Sequence, residues 1–375
     1  MSAPESPRSG ERRGSFPWKP SLDWLLVLVP AALAAKFLAP EHPTALFLLA
    51  CGAIVPLAGL MGRATEQLAD RVGEGAGGLL NATFGNAAEL IIALTALQKG
   101  LGEVVKASLT GSIIGNILLV LGAAFLAGGL KYPTQKFNAV AARSGGAMLT
   151  LAAIGMVVPA AYHHLGGREA LLHEVGLSLE IALILLVTYA LSLVFSLKTH
   201  KHLFSGGHAE RAQAEATTGR RWPLGKAVAL LAGATLFTAW VSELLVGSVE
   251  RAAEAFGMTP VFVGVIVVAV IGNAAEHSTA IVAARKNRMD LALGIAVGSS
   301  TQIALFVAPV LVLLSLLVGP KPMDLVFTLP EVVAVVLAVY LAEQVSSDGE
   351  SNWLEGVQLL SVYAMLAVVF YFLPG

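Results

Sequence analysis

A five-residue sequence, Gly-Asn-Ala-Ala-Glu, occurs twice in this chain, and both copies lie inside long apolar stretches. The first copy spans residues 85–89 and the second spans residues 272–276. Each places a glutamate and an amide where almost no other charge is present. A carboxylate in hydrocarbon costs on the order of a few kcal/mol, so such residues mark functional positions. Glu89 and Glu276 are therefore the first candidates for a site, and their surroundings restrict the fold.

The composition indicates a membrane protein. Hydrophobic residues make up 56% of the chain and charged residues only 13%, whereas soluble domains carry about 25% charge. Apolar stretches of about 17–25 residues or more predict transmembrane helices. We predict an all-α polytopic membrane protein with about 11 transmembrane helices. The predicted spans are 22–39, 43–62, 76–98, 103–129, 137–161, 173–197, 224–247, 258–284, 289–318, 323–344 and 353–373.

The distribution of lysine and arginine sets the expected orientation. With a cytoplasmic N-terminus, 18 of the 24 basic residues fall on the cytoplasmic side. Eleven spans then place the C-terminus outside. The short polar tail before the first span is typical of a prokaryotic plasma membrane protein, and an organelle membrane stays open. The single cysteine, Cys51, excludes an intramolecular disulfide.

The two copies of the pentapeptide belong to a longer internal repeat. At a constant offset of 187 residues, segments 85–112 and 272–299 are identical at 10 of 28 positions. The copies lie in the third and eighth predicted helices, an offset of five, so they enter the membrane from opposite sides, as in alternating-access transporters. We predict an N-terminal tail and first helix (1–40), a first five-helix repeat (41–198), a cytoplasmic linker (199–222) and a second five-helix repeat (223–375).

Each repeat offers oxygen ligands around its glutamate. Asn86 and Glu89 are three residues apart, so they share one face of a helix, and Asn273 and Glu276 do the same. The preceding glycine permits a break in the helix, and irregular backbone within a membrane is tolerated where it lines a site. The backbone carbonyls of Ala87 and Ala274 are therefore candidate ligands too. Because Ca²⁺ takes about 6–8 oxygen ligands, this set suits a hard divalent cation.

The following helices bring small polar residues to the same level. These are Ser112 and Asn116 in the first repeat, and Ser299, Ser300, Thr301 and Gln302 in the second. We count Ser112, Ser299 and Gln302 as candidate cation ligands. Helix–helix packing is an alternative use for small polar residues in a membrane.

The same carboxylates predict proton coupling. When no cation is bound, two like charges in a low dielectric favour protonation, so Glu89 and Glu276 are expected to exchange a cation for protons. His277 follows the second glutamate and can titrate near neutral pH, which makes it a third candidate for proton coupling. A packing role for His277 stays open.

Several motifs resemble one family of transporters. Residues 65–73 (TEQLADRVG) and 77–89 (GGLLNATFGNAAE) are similar to the first repeat of the calcium/proton exchangers, which belong to the calcium/cation antiporter superfamily. Residues 272–277 (GNAAEH) and 298–305 (GSSTQIAL) resemble the second repeat. The histidine after the second glutamate is typical of the proton-coupled branch.

The resemblance implies that Glu89 and Glu276 bind Ca²⁺, with Asn86 and Asn273 as supporting ligands. It also implies an acidic loop between the sixth and seventh helices. Here that loop has only two glutamates against several basic residues, so a regulatory acidic loop is not expected.

We therefore expect a secondary antiporter, not an enzyme, that exports Ca²⁺ in exchange for protons and has no cofactor. Its expected partners are the transported ions and the lipid bilayer, with no nucleic acid. A sodium-coupled exchanger or an exchanger of another divalent ion such as Mn²⁺ remains an alternative. An intramembrane enzyme that uses the glutamate pair as acid and base is the alternative from another class. The sequence leaves the oligomeric state open.

Overall fold

The chain is a bundle of helices that follow the predicted apolar stretches. The computed structural model describes residues 22–38, 41–72, 77, 80–81, 83–167, 172–200 and 222–373. The helices are α1 (Leu28–Leu38), α2 (Pro43–Val72), α3 (Ala87–Gln98), α4 (Gly102–Gly129), α5 (Ala139–Leu165), α6 (Glu174–Thr199), α7 (Leu224–Phe256), α8 (Pro260–Gly272), α9 (Ala274–Arg285), α10 (Met289–Ser315), α11 (Leu329–Ser346) and α12 (Trp353–Phe372). A 3₁₀ turn, Leu22–Val27, precedes α1.

Most of these helices can cross a membrane. In the described part of the chain, eight are long and apolar enough, and α8 with α9 makes a ninth span if the bent pair is counted as one. The helices α1 and α3 have 11 and 12 residues and fall short of that length. The all-α polytopic prediction is confirmed and the chain is an integral membrane protein, whereas the number eleven is not confirmed.

Two helices extend far beyond the ends of their predicted spans. The second predicted span ends at residue 62, but α2 continues to Val72; the seventh ends at residue 247, but α7 continues to Phe256. A helix of 30 residues is about 45 Å long, more than the hydrocarbon core requires. The extra turns of α2 are polar, and Arg63 forms an ion pair with Asp23 at 2.5 Å. Hydropathy therefore predicts which segment of a helix lies in the membrane, but it does not predict the residue at which the helix ends.

The helices α4 and α10 lie at the centre of the bundle and are its most buried spans. Helix α4 packs against α8, α9, α10 and α12. Around this centre, α3 packs against α7, while its repeat counterpart α9 packs against α2. Each short helix thus contacts a long helix of the other half, so residues far apart in sequence meet in the middle.

The repeat is also visible in the backbone where the side chains differ. The helices α3 and α9 start and end at positions related by the offset of 187. The turns after them contain Gly100 (φ 77°) and Asn287 (φ 60°), both left-handed, a conformation that glycine and asparagine adopt readily at a helix end. Matching hydrogen bonds close both turns, from Leu101 N to Ala96 O (2.9 Å) and from Arg288 N to Ala283 O (3.0 Å).

Two short antiparallel strands, β1 (Gln135–Lys136) and β2 (Glu350–Ser351), join the α4–α5 loop to the α11–α12 loop. Gln135 also donates to Ala284 O and Asn287 Oδ1, each at 2.9 Å. The predicted N-terminal tail lies outside the described residues, as does the predicted linker apart from its ends.

Candidate functional site

Two interruptions of helical structure form the centre of the site. In the second repeat, α8 and α9 meet at Asn273 with a bend of 60°. In the first, a turn at Gly85 and Asn86 precedes α3. The glycine–asparagine pair thus marks a break in both repeats, as the sequence predicted.

The two glutamates occupy equivalent places beside these breaks. Glu89 and Glu276 are each the third residue of their helix, in its first turn. The positive end of the helix dipole favours a carboxylate there. Both side chains are half-buried and close enough to interact electrostatically. A Cβ atom placed on Gly272 would lie 3.4 Å from Glu89 Oε1, so the first-repeat carboxylate lies directly against the second-repeat break.

Asn86 is held by two side chains of α10. Its Nδ2 donates to Gln302 Oε1 at 2.5 Å, and its Oδ1 accepts from Ser299 Oγ at 3.4 Å. Asn86 is 1% exposed. Among the described residues, both hydrogen-bond partners of the Asn86 amide therefore belong to the second repeat.

Asn273 is held in the complementary way, by side chains of α4. Its Nδ2 donates to Ser112 Oγ at 3.1 Å and to Ala269 O at 2.9 Å. Its Oδ1 accepts from Asn116 Nδ2 at 3.5 Å. Asn116 also donates to Ser299 Oγ at 3.0 Å.

The structure thus brings five candidate polar ligands together: Asn86, Asn273, Ser112, Ser299 and Gln302. It also adds Asn116, which the sequence placed at this level but not among the ligands. Its position four residues after Ser112, on the same face of α4, was the available signal.

The two candidate carbonyl ligands are not equivalent. Ala87 and Ala274 begin α3 and α9, where helical geometry assigns each carbonyl to the N–H four residues later. Ala274 O additionally accepts from Ser278 Oγ at 3.0 Å. The corresponding position in the first repeat is Ile91, which has no hydroxyl. The carbonyl of Ala274 therefore has both lone pairs engaged in this conformation.

His277 lies beside the site, next to Glu276 and near the bend. Its backbone N–H donates to Asn273 O at 3.0 Å. Within the described residues, its buried Nε2 atom has no hydrogen-bond partner. One residue of helix rotates a side chain by about 100°, so His277 and Glu276 point in different directions.

The chemistry of the site is that of oxygen ligands. Carboxylate, amide and hydroxyl oxygens converge from both repeats, a set that suits a hard divalent cation better than a soft one. No group of three or more His, Cys, Asp or Glu residues suited to a metal occurs among the described residues. Two carboxylates can balance one divalent charge or hold protons in its place.

Comparison with known proteins assigns the family. The family described as "Sodium/calcium exchanger protein" matches residues 42–198 and 226–372. The chain is 49% identical to a Ca²⁺/H⁺ antiporter of Synechocystis sp. (strain ATCC 27184 / PCC 6803 / Kazusa), over 93% of this chain and 96% of that protein. It is 48% identical to the Ca²⁺/H⁺ antiporter ChaA of Bacillus subtilis (strain 168), over 88% and 92% of the two chains.

Solved structures agree. The native structure of YfkE, a Ca²⁺/H⁺ antiporter protein, superposes with a TM-score of 0.79 at 43% identity, over 94% of this chain and 100% of that one. The H⁺/Ca²⁺ exchanger CAX shares the fold, with a TM-score of 0.66 at 17% identity, over 93% of this chain and 91% of that one. The chain therefore belongs to the sodium/calcium exchanger protein family and, within it, to the calcium/proton antiporters.

Proposed function

We propose that this protein is a secondary antiporter that moves Ca²⁺ out of the cytoplasm in exchange for protons. The observation that carries the proposal is the position of Glu89 and Glu276 beside two helix breaks inside a membrane bundle, with Glu89 against the break of the other repeat. Ionisable residues in such a setting belong to ion pathways and proton relays. The names of the relatives, Ca²⁺/H⁺ antiporters, support the same ions.

The two glutamates are the primary cation ligands in this proposal. They carry two negative charges when Ca²⁺ is bound and take up protons when it leaves, so competition at one site accounts for the exchange. Ser112, Ser299 and Gln302 supply nearby oxygens, and Asn86 and Asn273 connect these groups to the two breaks. His277 affects proton release from its place beside Glu276.

Transport follows from the relation between the halves. We assign the first repeat to residues 41–198 and the second to residues 223–375, and the two ranges matched by the family support this division. Opposite orientations let the bundle expose one central site to either side in turn. The charge bias of the loops supports a cytoplasmic N-terminus and an external C-terminus. The membrane in this proposal is a prokaryotic plasma membrane.

Transport assays in proteoliposomes test the proposal. A pH gradient should drive Ca²⁺ uptake without Na⁺, and collapsing the gradient should stop it. Uptake that requires a Na⁺ gradient would favour a sodium-coupled exchanger. Preferred uptake of Mn²⁺ over Ca²⁺ would assign a different substrate to the same site.

A further inference from the structure

Six polar side chains form one continuous network across the centre of the bundle. Starting at Gln302, each member contacts the next at 2.5–3.5 Å. The order is Gln302, Asn86, Ser299, Asn116, Asn273, Ser112. Members from the second and first repeats alternate without exception, so every contact in the network joins the two halves of the protein.

The direction of the hydrogen bond at Asn116 is determined by its neighbours. Asn273 Nδ2 donates to Ala269 O, and a backbone carbonyl can only accept. Asn273 must therefore turn its Oδ1 atom toward Asn116, and Asn116 must present its NH₂ group. That group serves both Asn273 Oδ1 and Ser299 Oγ. With 1% exposure, Asn116 has little access to solvent as an alternative partner.

Asn116 has no polar counterpart in the repeat. The offset of 187 relates it to Ile303, and it relates Gln302 to Gly115. Each asparagine at a break thus receives one amide from the opposite repeat, but from neighbouring and not equivalent positions. Both amides lie where α4 and α10 change to π-helical turns, Gly115–Val120 and Ile303–Val307. Such turns are frequent at functional sites.

We propose that Asn116 is a positioning residue for the second half of the cation site. By donating to Asn273 Oδ1, it holds the bend between α8 and α9 and thereby sets the position of Glu276, which lies three residues further on. It acts through Asn273 and does not itself bind the cation. The inference rests on the proposed function, since its consequence is measured as Ca²⁺ affinity.

A double-mutant cycle between Asn116 and Asn273 tests the proposal. The readouts are Ca²⁺ binding to detergent-purified protein by calorimetry and half-saturating Ca²⁺ in pH-driven uptake. Asn116→Ala should raise both constants about tenfold, because a buried acceptor loses its donor. In an Asn273→Ala background the same change should have less than about a twofold effect, because coupled residues are not additive.

Ile303→Ala is the matched control, since it truncates the buried residue at the repeat-equivalent position. It should leave Ca²⁺ affinity within about twofold of wild type even if it lowers thermal stability. Asn116→Ser, which keeps a hydroxyl donor, serves as the second variant if Asn116→Ala does not fold, and it should have a smaller effect in the same direction.

Equal losses of affinity in the wild-type and Asn273→Ala backgrounds would overturn the proposal and make Asn116 an independent ligand. Unchanged affinity in Asn116→Ala would also overturn it. Wild-type protein is measured in the same vesicles. If it shows no proton-driven Ca²⁺ uptake, the proposed function itself fails; if it exchanges normally, only the role of Asn116 is in question.

Discussion

The helices α3 and α9 begin with the same three residues, have the same length and end in the same type of turn, yet their surroundings differ. After Glu89 the chain continues Leu-Ile-Ile, whereas after Glu276 it continues His-Ser-Thr. Ile92 is 6% exposed and lines a small apolar cavity together with Leu245 and Val249 of α7. This turn of α3 therefore packs with apolar side chains against α7.

The same turn of α9 is polar and exposed. Ser278 and Thr279 are both exposed, and their hydroxyls donate to the carbonyls of Ala274 and Ala275 at 3.0 and 2.9 Å. These bonds within the helix satisfy both hydroxyls. The comparison teaches that both repeats keep the glutamate, whereas the residues that follow it are apolar in α3 and polar in α9. Two equivalent glutamates are therefore expected to differ in access to water and protons.

The largest expected effect follows from removing the charge of either glutamate. Glu89→Gln and Glu276→Gln should each reduce pH-driven Ca²⁺ uptake to background, because a neutral amide neither balances a divalent ion nor carries an exchangeable proton. Glu243→Gln, on an exposed position of α7, is the matched control and should transport normally. Uptake in one glutamine variant but not in the other would show that only one repeat supplies an essential carboxylate.

A smaller and unequal effect is expected from the two asparagines. Asn273→Ala should raise half-saturating Ca²⁺ about tenfold and Asn86→Ala about threefold, because Asn273 also bonds its own backbone at the bend, at Ala269 O. Concentration dependence of uptake at matched protein levels measures both. Equal losses in the two variants would mean that the bend itself does not depend on Asn273.

His277→Leu gives α9 the residue that α3 has at position 90, so it tests one difference between the repeats alone. His277 is the titratable group nearest in sequence to Glu276, so its loss should change the pH profile of exchange while Ca²⁺ affinity stays within about twofold. Uptake is measured against pH for both proteins. A large loss of affinity with an unchanged profile would instead make His277 a cation ligand.

The smallest expected effect concerns Ser278. Ser278→Ala frees one lone pair of Ala274 O, and Thr279→Val does the same for Ala275 O as a control. Ca²⁺ affinity should change by less than about twofold in both, because each hydroxyl serves mainly its own helix. A clear gain in Ser278→Ala alone would show that the carbonyl of Ala274 can coordinate the cation.

The sequence by itself determined the class of fold and the central pair of glutamates. Membrane spans can be predicted because hydrocarbon excludes charge. A carboxylate within such a span can be recognised as functional without knowledge of its spatial neighbours. The helix breaks at Asn86 and Asn273 were readable for a similar local reason, since each follows a glycine within an apolar stretch.

Only the tertiary structure decided which polar groups meet. Asn86 bonds to Gln302 and Asn273 bonds to Asn116, across 216 and 157 residues. Gln302 and Asn116 do not occupy equivalent positions in the two repeats. Such contacts depend on how α4 and α10 rotate against the breaks, and their π-helical turns shift that rotation locally. Which apolar side chains of α7 pack against α3 likewise follows from helix packing and not from residue type.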